Sequence, residues 1–356
     1  MVFIHFKAGI DDAGRRLDKI LRRFLSGENL SSLYKSLRKG LIKVNGKKCD
    51  GNFHVNEHDD IQIADFLLST SAPSNKTEKS KLSDEIVILK NNAILILNKP
   101  YDIPVQPSAN SKGNSLSEIV QADFELSHEN SSLAFRTGPL HRLDRKTTGI
   151  IVFSQNLKGA NWFSEAIKNH AIQKIYLALL EGKFCEKQIW KEKIEKLGNT
   201  NEQEKFKNEK KIFREKHAKI AKNQFYTVSV NSENGKNAYT EVCPILNGIF
   251  EGKNITLARI LIKTGRKHQI RAQAAYHGFP LLGDTAYGGS KIDEKKWKQD
   301  FFLHAAELHF PIENPLGLPE KIIAPIPKAF EKIIENLKIP TYNQIIEKIP
   351  TMANTK

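Results

Sequence analysis

The sequence predicts an α+β protein: a large unit on a mainly antiparallel, mixed sheet, preceded by a small α/β unit. Three observations lead there. Strand-like runs recur at 150–153, 172–180, 225–230 and 255–263, with too few helical pieces between them for a doubly wound sheet. The first 66 residues instead carry two amphipathic helical patterns followed by a tight hairpin signal. Between these regions, "STSAPSNKTEKSKLSD" at 69–84 is polar and poor in apolar residues, the composition of a linker. The expected organisation is a front unit at 1–66, a flexible linker at 67–84, the main unit at 85–328 and a tail at 329–356.

In the front unit, "RRLDKILRRFL" places Leu17, Ile20, Leu21, Phe24 and Leu25 on one helical face. In "LSSLYKSLRKG", Ser31 and Ser32 are candidate caps, Leu33, Tyr34 and Leu37 face inward, and Gly40 ends the helix. "LIKVNGKK" reads as a strand entering a turn at Asn45-Gly46, and "DDIQIADF" as a closing strand. The main unit opens with "EIVILKNNAILILNKP", two strand-like runs. Residues 186–224 hold twelve Lys or Arg and seven Glu with few large apolar side chains, and read as a solvated insertion. The tail has one amphipathic stretch, "AFEKIIENLK", and then little to hold it down.

Composition narrows the function. A net charge of +15 on 356 residues points to a polyanionic partner, nucleic acid first. The excess is concentrated: residues 15–48 hold eleven Lys or Arg against Asp18 and Glu28. Helices and hairpin of one sign form the surface that phosphate contacts require, with Arg15, Arg16, Lys35, Arg38 and Lys39 as candidates. No apolar run reaches the length of a membrane span, and the first residues lack a secretory layout, so a cytoplasmic protein is expected. Cys49, Cys185 and Cys243 are far apart and form no CxxC pair. Metal and nucleotide motifs are missing from the sequence, so neither a metal nor a cofactor is expected.

Four stretches carry candidate chemistry. "PLHRLDRKTTG" at 139–149 sets one carboxylate, Asp144, among Arg142, Arg145 and Lys146 just before an apolar strand. It is either a turn aspartate that bonds its own backbone or an active-site carboxylate at a strand end. "TLARILIKTGRKHQIRAQAAYHGFPLLGDTAYGG" at 256–289 predicts a strand, a turn at 264–266 and a small-residue helix ending at Gly278. Arg271, carried by that helix beside Ala272, Ala274 and Ala275, needs an anion, and Asp144 is the candidate. Tyr176 in "KIYLALLEGK" is by itself a core tyrosine; in a nucleic-acid pocket its ring would stack on an extruded base. His304 and His309 in "FLHAAELHFP" read as hydrogen-bonded core histidines.

The front unit is similar to the S4 RNA-binding domain, on its two short helices and the "RKGLIKVNGKK" hairpin. From about residue 86 to 327 the chain resembles the RluA-type pseudouridine synthases. "HRLDRKTTG", "KIYLAL" and "GRKHQIRAQAAYHGFPLLGDTAYGG" match that family's aspartate, tyrosine and third motifs, and "LNKP", "VQPS" and "LHA" fall in its order. The resemblance implies isomerisation of uridine to pseudouridine in RNA, with Asp144 as the essential carboxylate, Arg271 as its ion-pair partner and Tyr176 against the target base. It further implies that Arg142 fills the gap left by the flipped nucleotide. Within the family, the front unit looks most like the large-subunit ribosomal RNA enzymes, the C type ahead of the D type. A monomer is expected. Lys146, Thr148, Asp102 and Gln106 depart from the commoner residues of these motifs, which bears on substrate choice rather than on the reaction.

Two other classes compete. A glycosidase would need a second carboxylate at a set distance, and no such partner acid is evident in the motifs. A non-catalytic S4-type RNA-binding or ribosome-assembly protein would leave the set of Asp144, Tyr176 and Arg271 without a purpose.

Overall fold

The computed structural model describes residues 1–25, 29–69, 82–107, 114–127, 132–196 and 228–337, which fall into two compact units. The first comprises 1–95, 106–140 and 152–164; the second comprises 96–105, 141–151 and everything from 165 onward. Most of the expected linker, 70–81, lies outside the described residues.

The first unit begins with a four-stranded sheet in the order β1-β4-β2-β3, from β1 (Phe3–Lys7), β2 (Ile42–Val44), β3 (Lys47–Lys48) and β4 (Asp60–Ala64). Helices α1 (Leu17–Phe24) and α2 (Leu30–Lys39) cover it, and Gly40 ends α2 in the left-handed region at φ 71°. The α2 cap is Asn29, whose side chain accepts from the Ser32 amide, rather than either serine expected. Leu17, Ile20, Leu21, Leu33, Leu37, Ile42, Val44, Ile61 and Ile63 form the core, as their spacing requires. Leu133 and Ala134 join the same core. Asp12, fully buried, fixes them there: its carboxylate accepts from the Leu133 amide at 2.8 Å, the Ala134 amide at 3.0 Å and the Ser132 hydroxyl at 2.8 Å. The unit also holds α3 (Phe66–Ser69), β5 (Val87–Lys90), α4 (Leu116–Ser127) and the first residues of β6 (Ile94–Lys99).

The second unit is a mixed sheet. Its strands are β7 (Thr148–Ser154), β8 (Gln173–Glu181), β9 (Gln188–Lys196), β10 (Val228–Val230), β11 (Lys236–Phe250), β12 (Lys253–Ile262), β13 (Leu303–His309) and β14 (Lys321–Ile323). They run in the order β10-β9-β11-β12-β8-β13-β7, with β14 on β13. Neighbours along this path pair antiparallel, except that β13 and β7 run parallel. Gly149 makes that parallel pairing possible: it sits at φ 104°, and a Cβ there would collide with the Ala305 backbone. β6, β7 and α5 (Leu157–Lys168) run along the chain from one unit into the other.

The structure corrects two expectations. The charged insertion does not begin at 186: residues 188–196 are β9, paired with β11, and bury Trp190 and Ile194 on one face, with Glu192 between them bonded to Gln273 and His277, while Lys191 and Lys193 point to solvent. The rest of the insertion, 197–227, lies outside the described residues. The tail does not start at 329 either. Helix α7 (Lys328–Asn336) buries Phe330, Ile333 and Ile334, and Leu337 comes next, in a core shared with Leu177, Leu257, Trp297 and Phe302. An apolar stripe at helical spacing is enough to dock it. Residues 338–356 lie outside the described residues. Among those described, no helix is long and apolar enough to cross a membrane.

Candidate active site

Asp144, Tyr176 and Arg271 converge within the second unit, each placed by a different element. Asp144 lies in the loop that enters β7, where its carbonyl accepts from the Thr147 amide at 3.1 Å. Asp144 thus stands in a turn closed by its main chain, with no bond from its carboxylate to its own backbone among the described residues, and its side chain is about one-fifth exposed. Helix α6 (Gln269–Tyr276), after β12, carries Arg271. Tyr176 sits on β8 between Ile260 of β12 and Ala305 of β13 and is buried. Burial, and then the charge of Asp144, push its phenol well above the usual range, so the ring stays neutral.

Arg271 reaches Asp144, but its close partner is another acid. Its Nε and Nη2 donate to the two oxygens of Asp284 at 2.7 and 2.8 Å, a fork-to-fork pair with both residues buried. Its Nη1 lies 3.8 Å from Asp144 Oδ2. The guanidinium carbon lies over the rings of Phe301 and Tyr287, 4.5 and 4.8 Å from their centroids. Asp284 comes after Gly283, whose φ of 88° and close approach to the Asp300 carbonyl leave no room for a side chain. The expected pair with Asp144 is thus the longer arm of a three-residue relay. Asp284 lies within the third motif, but nothing in its spacing marks it as the partner.

His268 completes the surroundings of Asp144. It precedes α6 at φ 52°, its Nδ1 lies 2.9 Å from the Tyr287 hydroxyl, and its Nε2 lies 3.7 Å from Asp144 Oδ1. Burial outweighs the Asp144 charge and takes the imidazole down to about 4, so it faces the carboxylate as a neutral ring at pH 7.

The Asp144 loop is braced. Lys99, fully buried at the end of β6, donates to the carbonyls of Pro100, Ile103 and Arg145 at 2.8, 2.9 and 2.7 Å. Burial pulls its ammonium down to about 7, against the pull of Asp144 and Asp102. Arg145 grips Asp102 at 2.9 Å, and Lys146 pairs with Asp300, which accepts from the Tyr101 hydroxyl at 2.7 Å. Two departures from the family's commoner residues, Asp102 and Lys146, are therefore used to clamp this loop. A third, Thr148, bonds buried His304 at 2.8 Å.

Of the other sequence candidates, Arg142 is exposed beside the site. In the first unit, Lys35, Arg38 and Lys39 are exposed along α2 and Arg15 is half-buried. Arg16 is engaged elsewhere: it holds Asp18 at 2.8 and 3.2 Å, and Asp18 also accepts from the Tyr34 hydroxyl at 2.7 Å. Among the described residues, no group of three His, Cys, Asp or Glu is placed to hold a metal ion.

The family model described as RNA pseudouridylate synthase matches residues 93–276, and the S4 domain model matches 15–61. Proteins named ribosomal large subunit pseudouridine synthase C are similar over nearly the whole chain. That of Vibrio vulnificus is 27% identical over 335 residues, and that of Escherichia coli K12 is 27% identical over 341 residues. Each alignment covers 92% of this chain and 94% of the relative. Among solved structures, human RNA pseudouridylate synthase domain containing 1 is 19% identical and covers 77% of this chain and 96% of its own, with a TM-score of 0.50, which supports the fold. With the aspartate, tyrosine and arginine brought together in one unit, the chain belongs to the RNA pseudouridylate synthase family.

Proposed function

We propose that this protein isomerises uridine to pseudouridine at specific sites in large-subunit ribosomal RNA, acting as a monomer in the cytoplasm. The observation that carries the reading is the Asp144 carboxylate, held 3.7 to 3.8 Å from a neutral imidazole and a buried guanidinium. The reaction cleaves the N1–C1′ bond, turns the base and joins C5 to C1′. Asp144 acts on the base–sugar unit, Arg271 faces it with a fixed guanidinium, and Tyr176 presents a neutral ring to the base. Holding a carboxylate in place before substrate arrives removes reorganisation from the chemical step.

The uridine must leave its stack, which costs a few kcal/mol. Arg142, exposed beside Asp144, takes the vacated place. Arg15, Lys35, Arg38 and Lys39 supply phosphate contacts that offset the cost. The reading favours a large-subunit ribosomal target because the relatives that match the whole chain bear that name. Carbodiimide mapping of pseudouridine in ribosomal RNA from cells with and without the gene tests it. Sites lost with the gene and restored by the intact protein, but not by Asp144→Asn, are the expected result; an unchanged map would refute it.

A further inference from the structure

Two lysines of the second unit, Lys99 fully buried and Lys174 largely so, are treated in opposite ways. Lys99 spends its ammonium on three carbonyls. Lys174, at the start of β8 and 8% exposed, has no side-chain hydrogen-bond or ion-pair partner among the described residues. Its Nζ is not among the buried side-chain atoms that lack a partner, so the ammonium of this largely buried side chain still reaches solvent and is open to an anion arriving from outside.

The surroundings of Lys174 define which anion fits. Its nearest charge is of the same sign: burial first, and then Arg266, push the ammonium below its usual range, with no acid opposing them. Arg266 is half-buried in the turn between β12 and α6. Its Nε donates to the Asn237 carbonyl at 3.0 Å, and its two Nη groups have no acceptor among the described residues. His141 stands near Lys174 as a neutral ring, taken down to about 3 by burial and by the Lys174 charge. Space is left for a ligand: a Cβ on exposed Gly265 would meet the Lys174 ammonium at 3.6 Å and nothing else within 4 Å.

Position ties these two cations to the active site. Lys174 and Tyr176 are two residues apart on one strand, so both side chains leave the same face of the sheet, roughly 6.6 Å apart along it. A nucleotide whose base lies on Tyr176 would carry its backbone toward Lys174. From this geometry, and resting on the function proposed above, we infer that Lys174 and Arg266 form the binding site for a phosphodiester adjoining the target uridine. The phosphate supplies the partner that this largely buried side chain lacks among the described residues.

The test uses the full-length protein and a short RNA containing the mapped uridine, with the 5′ or the 3′ linkage replaced by an uncharged methylphosphonate. One of the two replacements should weaken wild-type binding about tenfold and leave binding by Lys174→Met unchanged within twofold. Free Lys174→Met should also melt at or above the wild-type temperature, since it removes the charge from a largely buried side chain, while binding unmodified RNA about tenfold more weakly. Arg266→Gln, less buried, should show the same loss of response to the same linkage and serves if the first variant does not fold. Full methylphosphonate sensitivity at both linkages in both variants would overturn the subsite. Asp144→Asn on the same RNA keeps the two readings apart: if it still forms pseudouridine, the proposed function fails rather than the subsite.

Discussion

Arg271 holds Asp284 with two parallel hydrogen bonds at 2.7 and 2.8 Å and leaves its third nitrogen 3.8 Å from Asp144. The guanidinium is thereby fixed in plane and direction before any substrate binds. Asp284, nearly inaccessible, is the acid that would be stranded without it.

Asp284→Asn should therefore act at a distance. Breaking a buried pair by removing one partner typically costs ~3–5 kcal/mol, and the freed guanidinium would turn toward Asp144. Arg271→Lys keeps the charge but not the fork, so it should recover stability better than rate. Denaturant unfolding and single-turnover rates at saturating RNA check both. A wild-type rate in Asp284→Asn would mean that Arg271 needs no orienting partner.

Asp144→Asn should bind RNA and form no pseudouridine. The amide keeps the shape of the side chain and removes the carboxylate, so loss of turnover without loss of binding isolates the chemical role. Tritium release from 5-tritiated uridine measures it; more than a trace of the wild-type rate would place the chemistry elsewhere.

Lys99→Met should loosen the Asp144 loop. Each carbonyl left without a donor costs ~1–3 kcal/mol, and one of the three belongs to Arg145, next to Asp144. Both melting temperature and single-turnover rate should fall. A variant that loses stability and keeps full rate would show that the loop is held by the Arg145–Asp102 and Lys146–Asp300 pairs instead.

Acid should destabilise the fold through its buried histidines. His268 and His304 are depressed to about 4 and His141 to about 3, each chiefly by burial. Between the ordinary value near 6.5 and these values, the unfolded chain binds protons that the folded chain refuses. Stability is thus full above about pH 6.5 and falls as pH drops toward 4. His304→Gln should remove one share, flattening the dependence by ~1.4 kcal/mol per pH unit between 6 and 4. Identical slopes for variant and wild type would contradict burial as the cause.

Asp12→Ala should weaken the first unit, because three donors at 132–134 lose a carboxylate acceptor and hydrogen bonds to charged groups contribute ~1.5–3 kcal/mol each. A protein starting at Asp84 loses this anchor and the apolar cover of Leu133 and Ala134, so it should melt well below the full-length chain. Its affinity for RNA should also fall less steeply with salt, by ~0.7 in slope for each single-strand phosphate contact removed. Equal melting temperatures would show that 132–134 hold their conformation without Asp12.

By itself, the sequence determined the elements and the candidate groups of the site. Apolar periodicity placed α1, α2, β7, β8 and β12 close to their observed bounds, because each is set by local spacing and a nearby turn residue. The motifs around Asp144, Tyr176 and Arg271 were legible because side-chain type and order are written in the chain. Local composition misled where burial depends on neighbours. Charged β9 became a sheet strand because Trp190 and Ile194 are buried on one face, where Glu192 between them is bonded to Gln273 and His277, and α7 docked through a stripe of four apolar residues. Only the tertiary structure decided which anion each cation meets. It gave Arg271 to Asp284, thirteen residues along the chain, ahead of Asp144, and gave Arg16 to Asp18. It surrounded Lys99 with carbonyls and left Lys174 with none of the described residues as a partner. Charge pairing falls off within a few ångströms and is weighed against desolvation, so it is governed by distance and burial in space, which residue order does not contain.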